Sequence, residues 1–117
     1  MSKSLWVVLL AVLLLLVPGG LAQKKKTPAT RSVTGEVTAS DDQRVVGAVV
    51  QLKDTKTKQV RSFYTQEHGV YRFDGLSTEV DYELSASYQG ADSPTRTLSV
   101  FDNRKQAVIN LKLNPKK

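Results

Sequence analysis

Catalysis starts from side chains that can ionise, coordinate or attack, and this sequence holds few in useful company. It has one histidine, His68, and no cysteine. A zinc site needs three or four ligands, commonly His or Cys, so the ligand count predicts no metal. A serine nucleophile calls for a strained elbow such as Gly-x-Ser-x-Gly with a base held against it. That motif is absent, and His68 stands between Glu67 and Gly69 in what reads as a polar turn. Two carboxylate pairs, Asp41 with Asp42 and Asp81 with Glu83, are formal candidates for a glycosidase dyad or a weak calcium site. A dyad needs its carboxyls across a cleft, and calcium needs six or more oxygens. Adjacent Asp residues fit a turn better, because their side chains bond to nearby backbone N–H groups.

The aromatics Phe63, Tyr64, Tyr71, Phe73, Tyr82 and Tyr88 suit either a sugar-stacking platform or a core. Alternation assigns Tyr71, Phe73, Tyr82 and Tyr88 to the core. Phe63 and Tyr64 are neighbours and cannot both point inward. With Phe63 inside, Tyr64 becomes the candidate contact residue, with Arg61 and Arg72 as neighbours. These three are the predicted partner-contact site. No catalytic, cofactor-binding or metal-ligating residue is predicted.

The elements that would position these side chains have a period of two. Val33, Gly35, Val37 and Ala39 alternate with polar residues. Ala48, Val50 and Leu52 share a face of a second strand, and a polar hairpin at 54–58 leads to a third over 59–65. Residues 66–69 read as the next hairpin turn, with Gly69 at positive φ. Tyr71 and Phe73 follow on a fourth strand, and Leu76 plugs the end of the fold. Tyr82, Leu84, Ala86 and Tyr88 mark the fifth strand, Leu98 and Val100 the sixth, and Ala107, Ile109, Leu111 and Leu113 the last. About seven short strands with regular turn signals predict an all-β, antiparallel, Greek-key sandwich. Each alternating strand must bury one face, so two layers are required.

The chain of 117 residues does not begin as part of that sandwich. Lys3 precedes an unbroken apolar run over 5–17. Pro18, Gly19 and Gly20 follow, then Leu21 and Ala22. This is the pattern of an export signal, a helix cleaved before Gln23. The alternative is a retained anchor, which Lys24, Lys25 and Lys26 favour by opposing translocation. The run is shorter than the roughly 20 residues that span a bilayer. The organisation expected is a signal peptide over 1–22, a flexible basic linker over 23–31, the sandwich over 32–114 and a basic tail over 115–117. The formal net charge is +6, much of it at the two ends. A nucleic-acid binder would gather its basic residues on one face; here they are scattered, so no nucleic acid is expected. The membrane is expected to matter only through the signal peptide, and the destination is the periplasm, the cell envelope or the medium.

One set of motifs resembles a known family. Gly35-x-Val37, Gly47-Ala48-x-Val50-x-Leu52, Thr65-x-x-x-Gly69-x-Tyr71-x-Phe73-x-x-Leu76, Tyr82-x-Leu84 and Gly90 together resemble the carboxypeptidase regulatory-like domain. The resemblance covers residues 32–113 and implies a transthyretin-like, seven-stranded sandwich close to the carbohydrate-binding-like folds. Gln66 stands where that family usually shows Asp, and Val80 where it usually shows Gly, which implies variant turns. The family's domain rides beside catalytic domains without doing chemistry, and no catalytic residue carries over. The resemblance implies a non-enzymatic module without cofactors that binds a protein or glycan partner. Its rivals are a structural sandwich that pairs through sheet edges and a membrane-tethered form.

Overall fold

The computed structural model describes residues 29–115. The expected signal peptide, most of the linker and the last two lysines lie outside the described residues. Nine strand segments occupy seven strand positions. They are β1 (Thr30–Thr38), β2 (Val49–Asp54), β3 (Val60–Tyr64), β4 (Val70–Ser77), β5 (Tyr82–Tyr88), β6 (Ala91–Asp92), β7 (Arg96–Leu98), β8 (Gln106–Val108) and β9 (Leu111–Lys112). One sheet has the order β4-β1-β8, with β9 also on β1. The other has the order β3-β2-β5-β6, with β7 also on β5. The expected sixth strand is β7, with the short β6 added ahead of it across residues 93–95, and the seventh is β8 and β9, interrupted at 109–110. Val100 lies beyond β7, in a turn rather than on the strand expected to carry it.

The alternation builds the core as expected. Val37, Val50, Leu52, Tyr71, Phe73, Leu84, Ala86, Ile109 and Leu111 are all buried, and Leu76 closes one end. Phe63 lies against the rim of this core, its ring 6.1 Å from that of Phe73 in an edge-to-face pair.

Three features depart from the sequence expectation. First, β1 begins at Thr30, so residues 30 and 31 belong to the sandwich and not to the linker; Arg31 faces inward and is only 3% exposed. Second, the sandwich is not antiparallel throughout. The last strand lies beside the first and runs parallel to it, with Val33 opposite Ala107 and Val37 opposite Leu111. Third, residues 66–69 are not a hairpin turn. β3 and β4 belong to different sheets, and the segment carries the chain between them.

The interruption of the last strand has a local cause. At Ile109 the chain turns its carbonyl inward over Gly35, where a Cβ would come within 1.9 Å of that oxygen. The buried Tyr71 hydroxyl donates to the same carbonyl. Past this point the Asn110 side chain takes over the pairing, with Oδ1 accepting from Glu36 N at 3.0 Å. Glycine at 35 is therefore a requirement of space.

Candidate interaction surfaces

The structure does not gather the three predicted contact residues. Tyr64 is 63% exposed on the outer face of β3. Arg61 is an odd number of residues away on the same strand and so points to the opposite face. Its guanidinium lies 5.4 Å from the Phe73 ring centroid and donates to the Asp74 carbonyl at 3.2 Å. It thus closes the seam between the edge strands β3 and β4. Arg72 points outward from the other sheet and pairs with Asp74 at 2.9 Å. An exposed pair of this kind contributes little stability. Tyr64 is left without either arginine as a companion on its face.

The candidate chemical groups are likewise dispersed. His68 is exposed in a short 3-10 turn, Glu67–Gly69, with φ of 61°. Asp41 Oδ1 accepts from Gln43 N at 3.2 Å, the turn role expected of it, and Asp42 pairs with Lys112 at 2.8 Å. Asp81 Oδ1 accepts from Val100 N at 2.6 Å. Among the described residues no three His, Cys, Asp or Glu side chains gather into a set that could hold a metal. A groove of about 280 Å³ follows the seam between β7 and β9. Its polar lining comes from Ser40, Arg96, Asn110, Lys112 and Asn114. No histidine or carboxylate lines it, so the Ser40 hydroxyl has no base beside it there.

The interior polar groups are spent on holding the backbone. Thr65 Oγ1 donates to Val45 O at 2.6 Å and accepts from Ala48 N at 2.9 Å, and Ser93 Oγ accepts from Ala86 N at 2.8 Å. Burial pushes the Tyr71 phenol well above its ordinary pKa, which keeps the hydroxyl a donor. The largest such brace is Arg31. Its Nε donates to Ser77 O at 3.1 Å and its Nη2 to Val80 O at 2.8 Å. Its Nη1 donates to Ser99 O at 2.7 Å and to Asp102 O at 3.0 Å. One planar guanidinium, with five donors in fixed directions, joins the start of β1 to two separate turns.

The second of those turns, residues 99–104, starts earlier than its Asp102-Asn103 turn signal indicates, and it carries the most exposed large apolar side chain described. Phe101 is 93% exposed and Val100 beside it 36%. The turn is tied at each step. Asp102 N donates to Ser99 O at 3.0 Å, Phe101 N to Ser99 Oγ at 3.1 Å, and Val100 N to Asp81 as above. The Arg104 side chain grips the Asp102 carboxylate through Nε and Nη2 at 2.9 and 2.7 Å, which holds that carboxyl down at about 2. No periodicity distinguishes Phe101 from a strand residue. The only signal was the Asp102-Asn103 turn directly after it.

Comparison with known proteins agrees with this geometry. The sequence profile described as carboxypeptidase regulatory-like domain matches residues 32–114. No curated protein matches the chain. Among solved structures, BcpA, the major pilin subunit of Bacillus cereus, superposes with a TM-score of 0.59 at 16% identity, over 74% of this chain and 30% of that one. The group B streptococcus pilus 2b backbone protein gives 0.56 at 16% identity, over 74% and 41%. Catechol 1,2-dioxygenase from Acinetobacter gives 0.55 at 12% identity, over 78% and 54%. The chain thus spans less than half the length of either pilin and about half of the dioxygenase. At such identities the likeness is one of fold, and the same sandwich underlies both pilins and an enzyme.

Proposed function

We propose that this chain, which belongs to the carboxypeptidase regulatory-like domain family, is a non-catalytic structural module at the cell surface or in the envelope, built to sit in line between a segment entering at Thr30 and one leaving at Pro115. The observation that carries this is the parallel pairing of the first strand with the last. Antiparallel terminal strands would bring both ends of the domain to one side. Parallel ones send the chain in at the Arg31 end and out at the opposite end.

Tension applied through the two ends then pulls β1 and β8–β9 along their length in opposite directions. Ser32 N to Lys105 O at 2.8 Å, Ile109 N to Thr34 O at 2.9 Å and Leu113 N to Thr38 O at 2.8 Å bear it together. So does the Asn110 side-chain bond to Glu36. Bonds loaded side by side must fail together, whereas a peeled edge fails one bond at a time. The pilin neighbours and the export pattern at the N-terminus support placement outside the cytoplasm. Binding of a protein or glycan through Tyr64, Arg61 and Arg72 is less well supported, because they occupy different faces.

The test exploits the lack of native cysteine. Handles on Thr30→Cys and Asn114→Cys pull β1 and the last strand in shear. Handles on Thr30→Cys and Thr78→Cys start at the Thr30 and Ser77 pair and peel β1 from β4. Single-molecule extension should show a several-fold higher rupture force for the first geometry. Equal forces would remove the mechanical argument for an in-line module.

A further inference from the structure

We propose that β3 is a pairing edge for a second copy of this chain. Two β3 strands meet antiparallel about a two-fold axis at Ser62 and join the β3-β2-β5 sheets of the two copies into one. The proposal goes beyond the in-line reading, which concerns β1 and the last strand in the other sheet. It uses Tyr64 without Arg61 or Arg72, which face elsewhere.

A sheet edge presents a row of unpaired backbone groups, and folded proteins blunt it with charge, proline, interruption or short length. Among the described residues the other edges are blunted in these ways. β4 carries the Arg72–Asp74 ion pair on its outer face. β6 and β7 are two and three residues long, with Pro94 between them. β8 and β9 are three and two residues long, separated by the inward turn at Ile109. By contrast β3 is five unbroken residues, and its one charged side chain, Arg61, is turned inward over Phe73. The bonds from Asp54 N to Gln59 O and from Thr65 N to Ala48 O commit the backbone groups of the odd-numbered residues to β2. Those of Val60, Ser62 and Tyr64 therefore point away from the sheet, with only Tyr64 O engaged, by Gln66 Nε2 at 3.1 Å. The side chains of the same residues stand on the outer face, with Val60 53% and Tyr64 63% exposed.

The edge fits a copy of itself. Antiparallel pairing about Ser62 sets Val60 against Tyr64, Ser62 against Ser62 and Tyr64 against Val60. These are the residues with outward backbone groups, so each pair exchanges two N–H···O bonds. Val60 meets Tyr64 twice, a β-branched residue against an aromatic, which is a favourable cross-strand pair. Ser62 meets itself, where a charged residue would meet its own charge. Lys53 and Glu83, charges on the same outer face, lie further back and stand opposite each other on β2 and β5. Charge is complementary at the strand ends. The antiparallel register brings the Lys58 end of one copy to the Glu67 end of the other, and neither residue takes part in an ion pair among the described residues of its own chain. Five residues of strand cannot cover the roughly 800 Å² per partner of a stable interface, so the copies associate reversibly in this one register.

The chain has no cysteine, so single cysteines in the otherwise intact protein read the register as disulfide cross-links under mild oxidation. Ser62→Cys places two Cα atoms about 5.5 Å apart across the axis, within the disulfide range of about 4.4–6.8 Å. Val60→Cys lies about 14 Å from its own copy but opposite position 64, so it should cross-link only when mixed with Tyr64→Cys. Gln51→Cys shares the outer face one strand back, opposite Ser62, and lies about 14 Å from its copy. It should cross-link several-fold more slowly than Ser62→Cys. All four positions are exposed, so the substitutions leave the core alone. Adding Tyr64→Lys to Ser62→Cys puts a guarding charge on the edge and should slow its cross-linking several-fold. A Ser62→Cys rate no faster than that of Gln51→Cys overturns the proposal and leaves the edge to another extended chain or to none. So does Val60→Cys cross-linking alone as fast as in the mixture, which marks contact in another register or through another surface, or a rate that Tyr64→Lys does not change. The cross-links read the sheet that holds β3 and the rupture force reads the other, so failure of one test leaves the other reading to its own.

Discussion

Two turns of this sandwich are fixed in opposite ways. The crossover at 66–69 is held by what its residues lack. Gly69 has φ of +68°, and its Cα lies so close to the start of the second sheet that a Cβ would come 2.9 Å from Val37 O and 3.0 Å from Val45 N. Those two atoms are the partners of one backbone hydrogen bond, so the missing side chain makes room for a link between β1 and the approach to β2. The turn at 99–104 is held by what its residues and their neighbours supply: a buried guanidinium, three side-chain oxygens and an ion pair. The first presents nothing apolar to solvent. The second presents Phe101. A turn made by the backbone alone needs one residue type at one place, whereas a turn held by side chains can be aimed, and its apex is free to carry a contact residue.

The largest effect should come from filling the space at the first turn. Gly69→Val adds a β-branched side chain in the left-handed region, where such residues are outliers, and drives it into backbone that cannot move without losing the Val45 to Val37 bond. A loss of about 3–5 kcal/mol is expected, in the range that marks a specific structural fault, read as a lowered midpoint in urea. Gly69→Ala should lose less, since it keeps the clash but not the branching. If Gly69→Val unfolded at the wild-type midpoint, the crossover would have to be looser than its close contacts indicate.

Arg31→Met should rank second and act on the other turn. Methionine matches the length but leaves the carbonyls of Ser77, Val80, Ser99 and Asp102 without their shared donor. Hydrogen bonds to a charged group contribute about 1.5–3 kcal/mol each, against the cost of burying the charge. A net loss of about 2–4 kcal/mol is expected. Amide exchange should rise at residues 100–104 more than at 66–70. Arg31→Lys should recover only part of the loss, since one ammonium cannot reach four carbonyls in fixed directions. Uniform exchange across both turns would show that Arg31 stabilises the domain generally and does not aim the Phe101 turn.

The two turns also differ in how readable they are. Gly69 announces itself: a glycine among polar residues, just after a strand, one position before the alternation resumes. Arg31 gives the wrong signal. It comes after a run rich in lysine, so composition assigns it to a linker, and an inward-facing charge inverts the pattern on which strand reading depends. Its partners are backbone carbonyls 46 to 71 residues away, which have no identity in a sequence. The buried faces of β2, β4 and β5 were legible for the converse reason, since their apolar residues recur at every second position. The parallel neighbour of β1 was not, because alternation says which face a strand buries and not which strand lies beside it. For the contact residues, alternation correctly separated Tyr64 from Phe63. It could not say that Arg72 lies on the other sheet.

The smallest effect sharpens the contrast, because it concerns the one side chain of the crossover that chemistry might have used. His68 sits next to Gly69 with φ of 61° and is exposed. If this turn is held by backbone geometry alone, its imidazole is dispensable. Alanine meets much the same cost in the left-handed region as any non-glycine residue, on the order of 1–2 kcal/mol, so His68→Ala should change stability by no more than about 0.5 kcal/mol. For a domain of this size that is a shift of only about 2–4 °C in melting temperature. His68→Gly separates side chain from backbone at the same position. It relieves the left-handed cost while adding freedom to the unfolded chain, so it should match or slightly exceed the wild type. A drop beyond about 1 kcal/mol in His68→Ala, with His68→Gly equally low, would mean that the imidazole makes a contact the turn relies on. The crossover would then be held by side chains as the Phe101 turn is, and the distinction between the two would fail at its simplest point.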